Sequence, residues 1–289
     1  MNPATAEPRD FARALVLRFN LSSTVDLYDL AGKVGLRIKE VDARGFEGAL
    51  VRVWNKPNGI VAVRRSIRER GRKRFTIAHE MGHYFLPGHG SAGRTCKSEN
   101  IDSGSRAVPL QEAAANSFAS ELLLRTTEVE VVVRKRLASI ETAKHLASIF
   151  DTSLTAALLK TVEVTNERCC VVMSKDGRIE WARPNDTFRH YVPRREKLDH
   201  ETLANKLMTT QDQEARGLVP AAAWLNDERL QNGARIYEDS IRQTHYNSVL
   251  TILTINEPVS DHEQDDDDSL LEDLDPNEFT IGRTKWPRY

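Results

Sequence analysis

The sequence has little of what defines several protein classes. It contains only three cysteines, none of them in a C-x-x-C pair, so a disulfide framework is excluded. No apolar run approaches the roughly 20 residues that span a membrane. The first ten residues have neither the basic start nor the apolar core of a secretory signal. We therefore expect a cytoplasmic protein with no membrane partner, whose cysteines are buried or free thiols.

The net charge is also near zero, at −1 for 289 residues, yet the charges are unevenly distributed. Ten acidic residues and no Lys or Arg lie between Glu257 and Asp275, so the remaining chain has a net charge of +9. A stretch this acidic and this poor in aromatic residues does not bury enough apolar surface to fold. Residues 257–289 are therefore predicted to form a disordered tail.

One short motif has clear chemistry: residues 79–83 read His-Glu-Met-Gly-His within an uninterrupted helical pattern. Positions four apart lie on one face of a helix, so His79 and His83 can bind the same ion. Neutral imidazole is a good ligand for Zn²⁺, and Glu80 beside the ion can accept a proton from an activated water. The motif indicates zinc-dependent amide hydrolysis with one zinc ion. The H-E-x-x-H spacing also arises by chance, so a third ligand is needed to support a zinc site.

His89 is one candidate for the third ligand. It lies ten residues after His79, as the last histidine does in H-E-x-x-H-x-x-G-x-x-H enzymes. That pattern needs a glycine where this chain has Leu86, because the helix must turn back sharply there. The glycine present is Gly88, so His89 is the weaker candidate and is interpreted as a loop histidine near the cleft.

Glu112 is the favoured third ligand. It begins a second helical pattern, and the small residues 113–115 permit this helix to approach the zinc helix closely. Two histidines and one glutamate leave a coordination position open for water, as catalytic zinc sites do. Glu121 is nine residues, or about two and a half turns, further along the same helix, so it points to the side opposite Glu112 and is interpreted as facing solvent.

The segments Phe75–His83 and Glu112–Leu123 together resemble the ImmA/IrrE family of bacterial metallopeptidases. The resemblance extends over about residues 25–164. It implies that His79, His83 and Glu112 bind zinc and that Glu80 is the general base, a gluzincin-like arrangement. It also implies a protein substrate, a helix-turn-helix repressor whose cleavage relieves repression in a stress response or a mobile element.

Two more residues are expected to support the site. Asn116 lies one turn after Glu112 and is predicted to hold the metal ligands in place rather than contact substrate. Tyr84 adjoins His83, and its hydroxyl would be able to polarise a carbonyl group. Packing in the core or at the rim of the cleft is the favoured interpretation for Tyr84.

Hydrophobic periodicity predicts the α+β fold class. Residues 1–165 are predicted to form a helical zinc-metallopeptidase domain that includes a small β-sheet. Residues 166–256 are predicted to form a smaller α+β domain, interpreted as sensory or substrate-selecting. Within the first domain, residues 139–163 resemble helix, tight turn, helix, and are predicted to pack against the peptidase core.

The alternative hypothesis is a non-catalytic regulator that binds DNA or a protein and keeps zinc for structure. Seven basic residues and one acidic residue lie between Arg64 and Arg74, and such a run is able to contact phosphates. The favoured interpretation is a solvated segment that leads into the zinc helix. The second helix of the 139–163 segment offers few side chains that would bind bases, so nucleic acid is not the favoured partner.

Overall fold

The computed structural model describes residues 6–42, 45–52, 58–89, 94–96, 110–227, 233–243 and 246–255, with the backbone alone for 94–96. These residues belong to one compact unit that ends at Asn256. None of the helices in these ranges has the length and apolar character needed to cross a membrane. The predicted acidic tail, residues 257–289, lies outside the described residues.

Two helices and a small mixed sheet precede and flank the zinc-motif helix. The elements are α1 (Pro8–Phe19), α2 (Leu27–Lys33), β1 (Leu36–Val41), β2 (Gly48–Arg52), β3 (Gly59–Arg64), α3 (Arg70–Phe85) and β4 (Arg94–Cys96). The strand order is β1-β3-β2-β4, with β1 parallel to β3 and the other pairs antiparallel. The sequence predicts antiparallel strands at residues 49–53 and 60–63, and the structure has them as β2 and β3, in a register that pairs Arg52 with Gly59.

Strand β4 lies in residues 87–108, a polar stretch whose lack of periodicity predicts an irregular loop. It pairs with the first half of β2, where Gly48 is opposite Cys96 and Leu50 is opposite Arg94. Three residues are too short for an alternating pattern to be visible, so the prediction of a loop throughout this segment was wrong. The pairing places β4 at the edge of the sheet, next to the strand that packs on the zinc helix.

Helix α4 (Leu110–Leu123) crosses α3 at close range. A Cβ atom at Gly82 of α3 would lie 3.1 Å from the Phe118 ring and 3.2 Å from the backbone of Ala115. The small side chains at the crossing therefore permit a separation that larger ones would prevent. This close approach brings the start of α4 to the face of α3 that carries the two histidines.

Three helices follow: α5 (Thr126–Val133), α6 (Ile140–Phe150) and α7 (Leu154–Val164). Helices α6 and α7 form the predicted helix–turn–helix arrangement. The Ser139 hydroxyl accepts a hydrogen bond from the Thr142 amide, and the Ser153 hydroxyl accepts one from the Ala156 amide, so each helix has an N-cap. Asp151, in the left-handed conformation, ends α6.

A five-stranded antiparallel sheet forms the remainder of the unit. Its elements are β5 (Arg168–Lys175), β6 (Arg178–Pro184), α8 (Leu203–Thr209), β7 (Glu214–Pro220), β8 (Arg235–Gln243) and β9 (Ser248–Ile255), in the order β6-β5-β9-β8-β7. Asp176 and Gly177 both have positive φ in the β5–β6 turn, as the Asp-Gly pair predicts. Strand β7, with Gly217 inside it and Pro220 at its end, did not follow from the sequence.

Both faces of this sheet are covered. Cys170 and Val172 pack in a cluster with α8 and Trp224, whereas Cys169 and Val171 pack in a cluster with α5, α6 and α7. The helix–turn–helix segment therefore packs on the second sheet as well as against α5, and its turn lies against Gly71 at the start of α3. The sequence predicted the contact with the peptidase core and did not predict the contact with the sheet. The second cluster crosses the predicted boundary at 165/166, and the division into two domains there stays a prediction.

Candidate metal centre

Three side chains from two helices converge at the crossing of α3 and α4. His79 and His83, one turn apart on α3, lie with their Nε2 atoms 3.1 Å apart. The Glu112 carboxylate, from the first turn of α4, lies 3.2 Å from Nε2 of His79 and 3.5 Å from Nε2 of His83. All three side chains are buried. Among the described residues, these three form the cluster of side chains able to hold a metal ion.

The spacing of these atoms fits zinc. A tetrahedral ion with bonds of about 2.0–2.1 Å keeps its ligand atoms about 3.3 Å apart. The observed separations, 3.1, 3.2 and 3.5 Å, lie around that value. Two imidazoles and one carboxylate are also a donor set that zinc prefers, and three protein ligands correspond to a catalytic rather than a closed structural site.

The charge state of Glu112 suits a ligand. Burial by itself would raise the pKa of its carboxyl, but the hydrogen bonds and charges of His79 and His83 lower the pKa by more, so the net shift is downward from the ordinary value. The carboxylate is therefore ionised at neutral pH and able to accept a cation.

Asn116 lies one turn after Glu112 on α4, as expected. Its Oδ1 is 2.8 Å from Nδ1 of His79, the ring nitrogen on the side away from the cluster. The same helix thus contributes the Glu112 carboxylate in front of His79 and an amide behind it.

Tyr84 and His89 lie at the end of α3 without joining the cluster. The Tyr84 hydroxyl donates a hydrogen bond of 3.4 Å to the carbonyl oxygen of Val34, and its ring packs against the core of the first sheet. His89 is buried with its Nδ1 3.0 Å from Nδ1 of His83. It therefore contacts the nitrogen of His83 that faces away from Glu112.

Glu80 is fully buried on α3, and strand β2 lies directly against it. An ideal Cβ atom at Gly48 would lie 2.5 Å from Oε1 of Glu80 and 2.7 Å from the methyl group of Thr76. Sequence reasoning did not select Gly48. A glycine inside a strand signals close approach by another group, but the predicted strand began at Ala49, so Gly48 lay just outside it.

Arg52 is the second residue that sequence reasoning missed. Its guanidinium group donates hydrogen bonds to the carbonyl oxygens of His83, at 3.2 Å, and Tyr84, and lies 4.8 Å from the centre of the Tyr84 ring. Carbonyl groups at a helix C-terminus lack partners within the helix, so this contact holds the end of α3. No sequence pattern indicated it.

The sequence suggested that Glu121 faces solvent, but its side chain is only 2% exposed, so that interpretation was wrong. Its carboxylate accepts hydrogen bonds from the Thr126 hydroxyl at 2.6 Å and from Nε of Arg13 at 3.0 Å, and lies 3.5 Å from Nζ of the buried Lys160. The direction away from Glu112 was predicted, whereas the partners from α1, α5 and α7 were not. Glu121 therefore ties helices together.

The basic run is largely neutralised by the chain's own carboxylates. Six of its seven cations form ion pairs: Arg64 and Arg72 with Glu47, Arg70 and Arg74 with Asp151, Arg65 with Asp42, and Lys73 with Glu40. The corresponding carboxylates compete with any phosphate group. In α7, the exposed side chain is Glu163, which pairs with Arg9. Neither feature favours a nucleic-acid interface.

A helix with H-E-x-x-H crossed by a helix that contributes a glutamate defines a metallopeptidase-like protein. Residues 31–161 match the family model of Peptidase_M78, the IrrE N-terminal-like domain. This match confirms, for residues 31–161, the resemblance to the ImmA/IrrE family seen in the sequence.

The fold as a whole is similar to a solved structure described as a Mycobacterium tuberculosis transcriptional regulator. The TM-score is 0.54 at 12% sequence identity, and the match covers 85% of this chain and 76% of that chain. The similarity of fold therefore extends beyond residues 31–161. No curated protein matches the chain.

Proposed function

We propose that the chain is a zinc-dependent endopeptidase in which His79, His83 and Glu112 hold one zinc ion and Glu80 is the general base. The observation that carries the proposal is the convergence of two imidazoles and one carboxylate at zinc-ligand spacing, on the helix that also buries Glu80. A zinc ion bound there would supply Lewis acidity that activates water and polarises the scissile carbonyl group.

The remaining chemistry belongs to the protein's side chains. Glu80 accepts the proton of the attacking water and then donates it to the amine of the leaving peptide. Oδ1 of Asn116 accepts a hydrogen bond from the Nδ1–H group of His79, which leaves the lone pair of Nε2 free to bind the metal. Gly48 permits β2 to lie against the Glu80 carboxylate and so limits the directions in which it can point.

We further propose that the substrate is a helix-turn-helix transcriptional repressor whose cleavage relieves repression. The family match of residues 31–161 supports this substrate class. The internal pairing of the basic run favours a protein substrate over DNA. A substrate-selecting or sensory role for residues 166–256 rests on their position after the metal centre.

Replacement of Glu80 by glutamine tests the mechanism. The amide has nearly the same shape but does not accept the proton, so Glu80→Gln should retain zinc and lose at least about 100-fold in cleavage rate. Zinc content would be measured by mass spectrometry, and cleavage with purified repressors encoded beside the gene. Glu180→Gln, at an exposed position of β6, is the matched control. Cleavage by Glu80→Gln at the wild-type rate would disprove the mechanism.

A further inference from the structure

His89 has an environment unlike that of a loop histidine. It is 7% exposed, and its ring lies 5.1 Å from the ring of His83, centre to centre. The two Nδ1 atoms are 3.0 Å apart, a hydrogen-bond distance. Nε2 of His83 faces the opposite way, toward His79 and Glu112. His83 therefore lies between the metal cluster and His89.

The chain after α3 is shaped to bring His89 to this place. Gly88 has a φ of +76°, the left-handed conformation that glycine adopts without strain. The His89 amide donates to the carbonyl oxygen of Leu86 at 3.4 Å. The side chain of Gln111, at the start of α4, donates to the carbonyl oxygen of Gly88 at 3.0 Å. The glycine that is misplaced for a three-histidine site is thus correctly placed to turn His89 onto the back of His83.

The contact determines which nitrogen of His83 carries its proton. A histidine that binds metal through Nε2 carries its hydrogen on Nδ1, and an acceptor for that hydrogen fixes the tautomer and the ring orientation. Nδ1 of His89 is placed to accept it. Oδ1 of Asn116 has the same relation to His79. Each histidine of the cluster thus has an acceptor behind it, an amide in one case and an imidazole in the other.

We propose that His89 is a positioning residue that holds His83 in the tautomer and orientation needed to bind the metal. The proposal rests on the zinc centre proposed above and assigns His89 no bond to the ion. Loss of such a partner typically weakens metal binding about 10- to 100-fold.

Two substitutions at His89 separate the hydrogen bond from the packing. His89→Leu fills much of the space and removes the acceptor, whereas His89→Gln offers an amide oxygen, as Asn116 does for His79. We expect His89→Leu to raise the zinc dissociation constant at least about 10-fold and His89→Gln to restore most of that loss. The constant would be measured for the full chain by competition with a chromogenic chelator. His200→Leu is the control, because His200 is highly exposed.

Two further measurements distinguish positioning from other roles. X-ray absorption at the zinc edge should show two imidazole ligands in the wild type and in His89→Leu; three in the wild type and two in the variant would make His89 a ligand and overturn the proposal. His89→Leu should lower the thermal midpoint of the zinc-loaded protein and leave that of the zinc-free protein nearly unchanged. An equal drop in both would make the contact merely structural.

The affinities decide the remaining outcomes. Wild-type zinc affinity in His89→Leu, or equal weakening in His89→Leu and His89→Gln, would overturn the positioning role while leaving the metal centre intact. Failure of the wild-type chain to bind zinc would instead overturn the proposed function itself.

Discussion

Gly48 lies closer to the proposed general base than a residue with a side chain can. Its missing Cβ would be 2.5 Å from Oε1 of Glu80, and real Cβ contacts are essentially never that short. Either the strand or the carboxylate must move when an atom is added. The glycine therefore allows the β2 backbone to serve as one wall of the space around Glu80.

Gly48→Ala should consequently impair cleavage without removing the metal. A displacement of about 1 Å near a reacting group can cost about 100-fold in rate, so we expect a loss of at least about 10-fold. The proposed stoichiometry of one zinc ion should not change, because the proposed ligands are on other elements. Gly217→Ala, in a strand of the second sheet where the nearest atom to the added methyl group is 3.9 Å away, should cleave normally. Equal rates for Gly48→Ala and wild type would contradict this account.

The contrast between Glu112 and His89 shows what could be predicted for single residues. A three-residue gap and a run of small residues were enough to select His79, Glu80, His83 and Glu112, because helical spacing fixes directions within an element. His89 was weighed as a ligand, yet its relation to His83 depends on the conformation of Gly88 and on a hydrogen bond from Gln111. Such contacts arise between segments and leave no periodic signal.

The packing of α3 against the turn between α6 and α7 depends on another glycine, Gly71. A Cβ at Gly71, in the first turn of α3, would lie 2.3 Å from the Ser153 amide nitrogen and 2.5 Å from the Thr152 carbonyl carbon. These are backbone atoms in the turn between α6 and α7, so no rotamer change relieves the overlap. Arg70 and Arg74, on either side, pair with Asp151 of the same turn. The start of the zinc helix is thus docked on the helix–turn–helix segment.

Gly71→Ala should destabilise the protein by about 1–3 kcal/mol or more, the cost of overpacking against atoms that cannot move aside. Gly32→Ala is the matched control in α2, because no atom lies within 4 Å of its added methyl group. Removal of a glycine from a helix interior should stabilise the control by about 0.5–1 kcal/mol. Urea unfolding would measure both. Equal free energies of unfolding for the two variants would refute the docking contact.

Strand and helix assignments succeeded where periodicity was long and failed where it was short or mixed. The Asp176-Gly177 turn followed from turn chemistry, whereas Gly59, which was predicted to lie in a tight turn between β2 and β3, is a paired residue of β3. Strand β4 has three residues, and β7 contains Gly217 and ends at Pro220, which both lower strand propensity. The contact of the helix–turn–helix segment with the second sheet was also not predicted, because an apolar helix face does not specify which apolar surface will cover it.

Charge holds the compact unit together more than its near-zero total suggests. The carboxylates that neutralise the basic run come from residues as far away as Asp151, and the Glu121 network joins α1, α4, α5 and α7. Two carboxyl groups of the second sheet are instead less favourable in their charged form. Burial raises the pKa of Glu238 and of Asp239, even though backbone amides donate to both.

The pH dependence of stability should therefore contain terms of both signs. Burial by itself would raise the pKa of Glu121, but the Thr126 hydroxyl, Lys160 and Arg13 together lower it below the value of about 4.5 for an unfolded chain. A carboxyl with a lowered folded pKa contributes stability above its unfolded pKa and loses it as pH falls through the folded one. Glu238 and Asp239, with raised pKa values, contribute at low pH and lose that contribution as pH rises.

Glu121→Gln isolates the contribution of the Glu121 charge to stability. At neutral pH it leaves the buried ammonium group of Lys160 without its buried carboxylate, which should destabilise the zinc-free protein by about 3 kcal/mol. The difference from the wild type should shrink as pH falls below the ordinary carboxyl pKa of about 4.5, because protonation removes the same charge from the wild type. Urea unfolding in EDTA at several pH values would measure it, with Glu180→Gln as the exposed control. A difference that is constant across these pH values would mean that Glu121 contributes through packing and hydrogen bonds alone, and that its charge does not hold the four helices together.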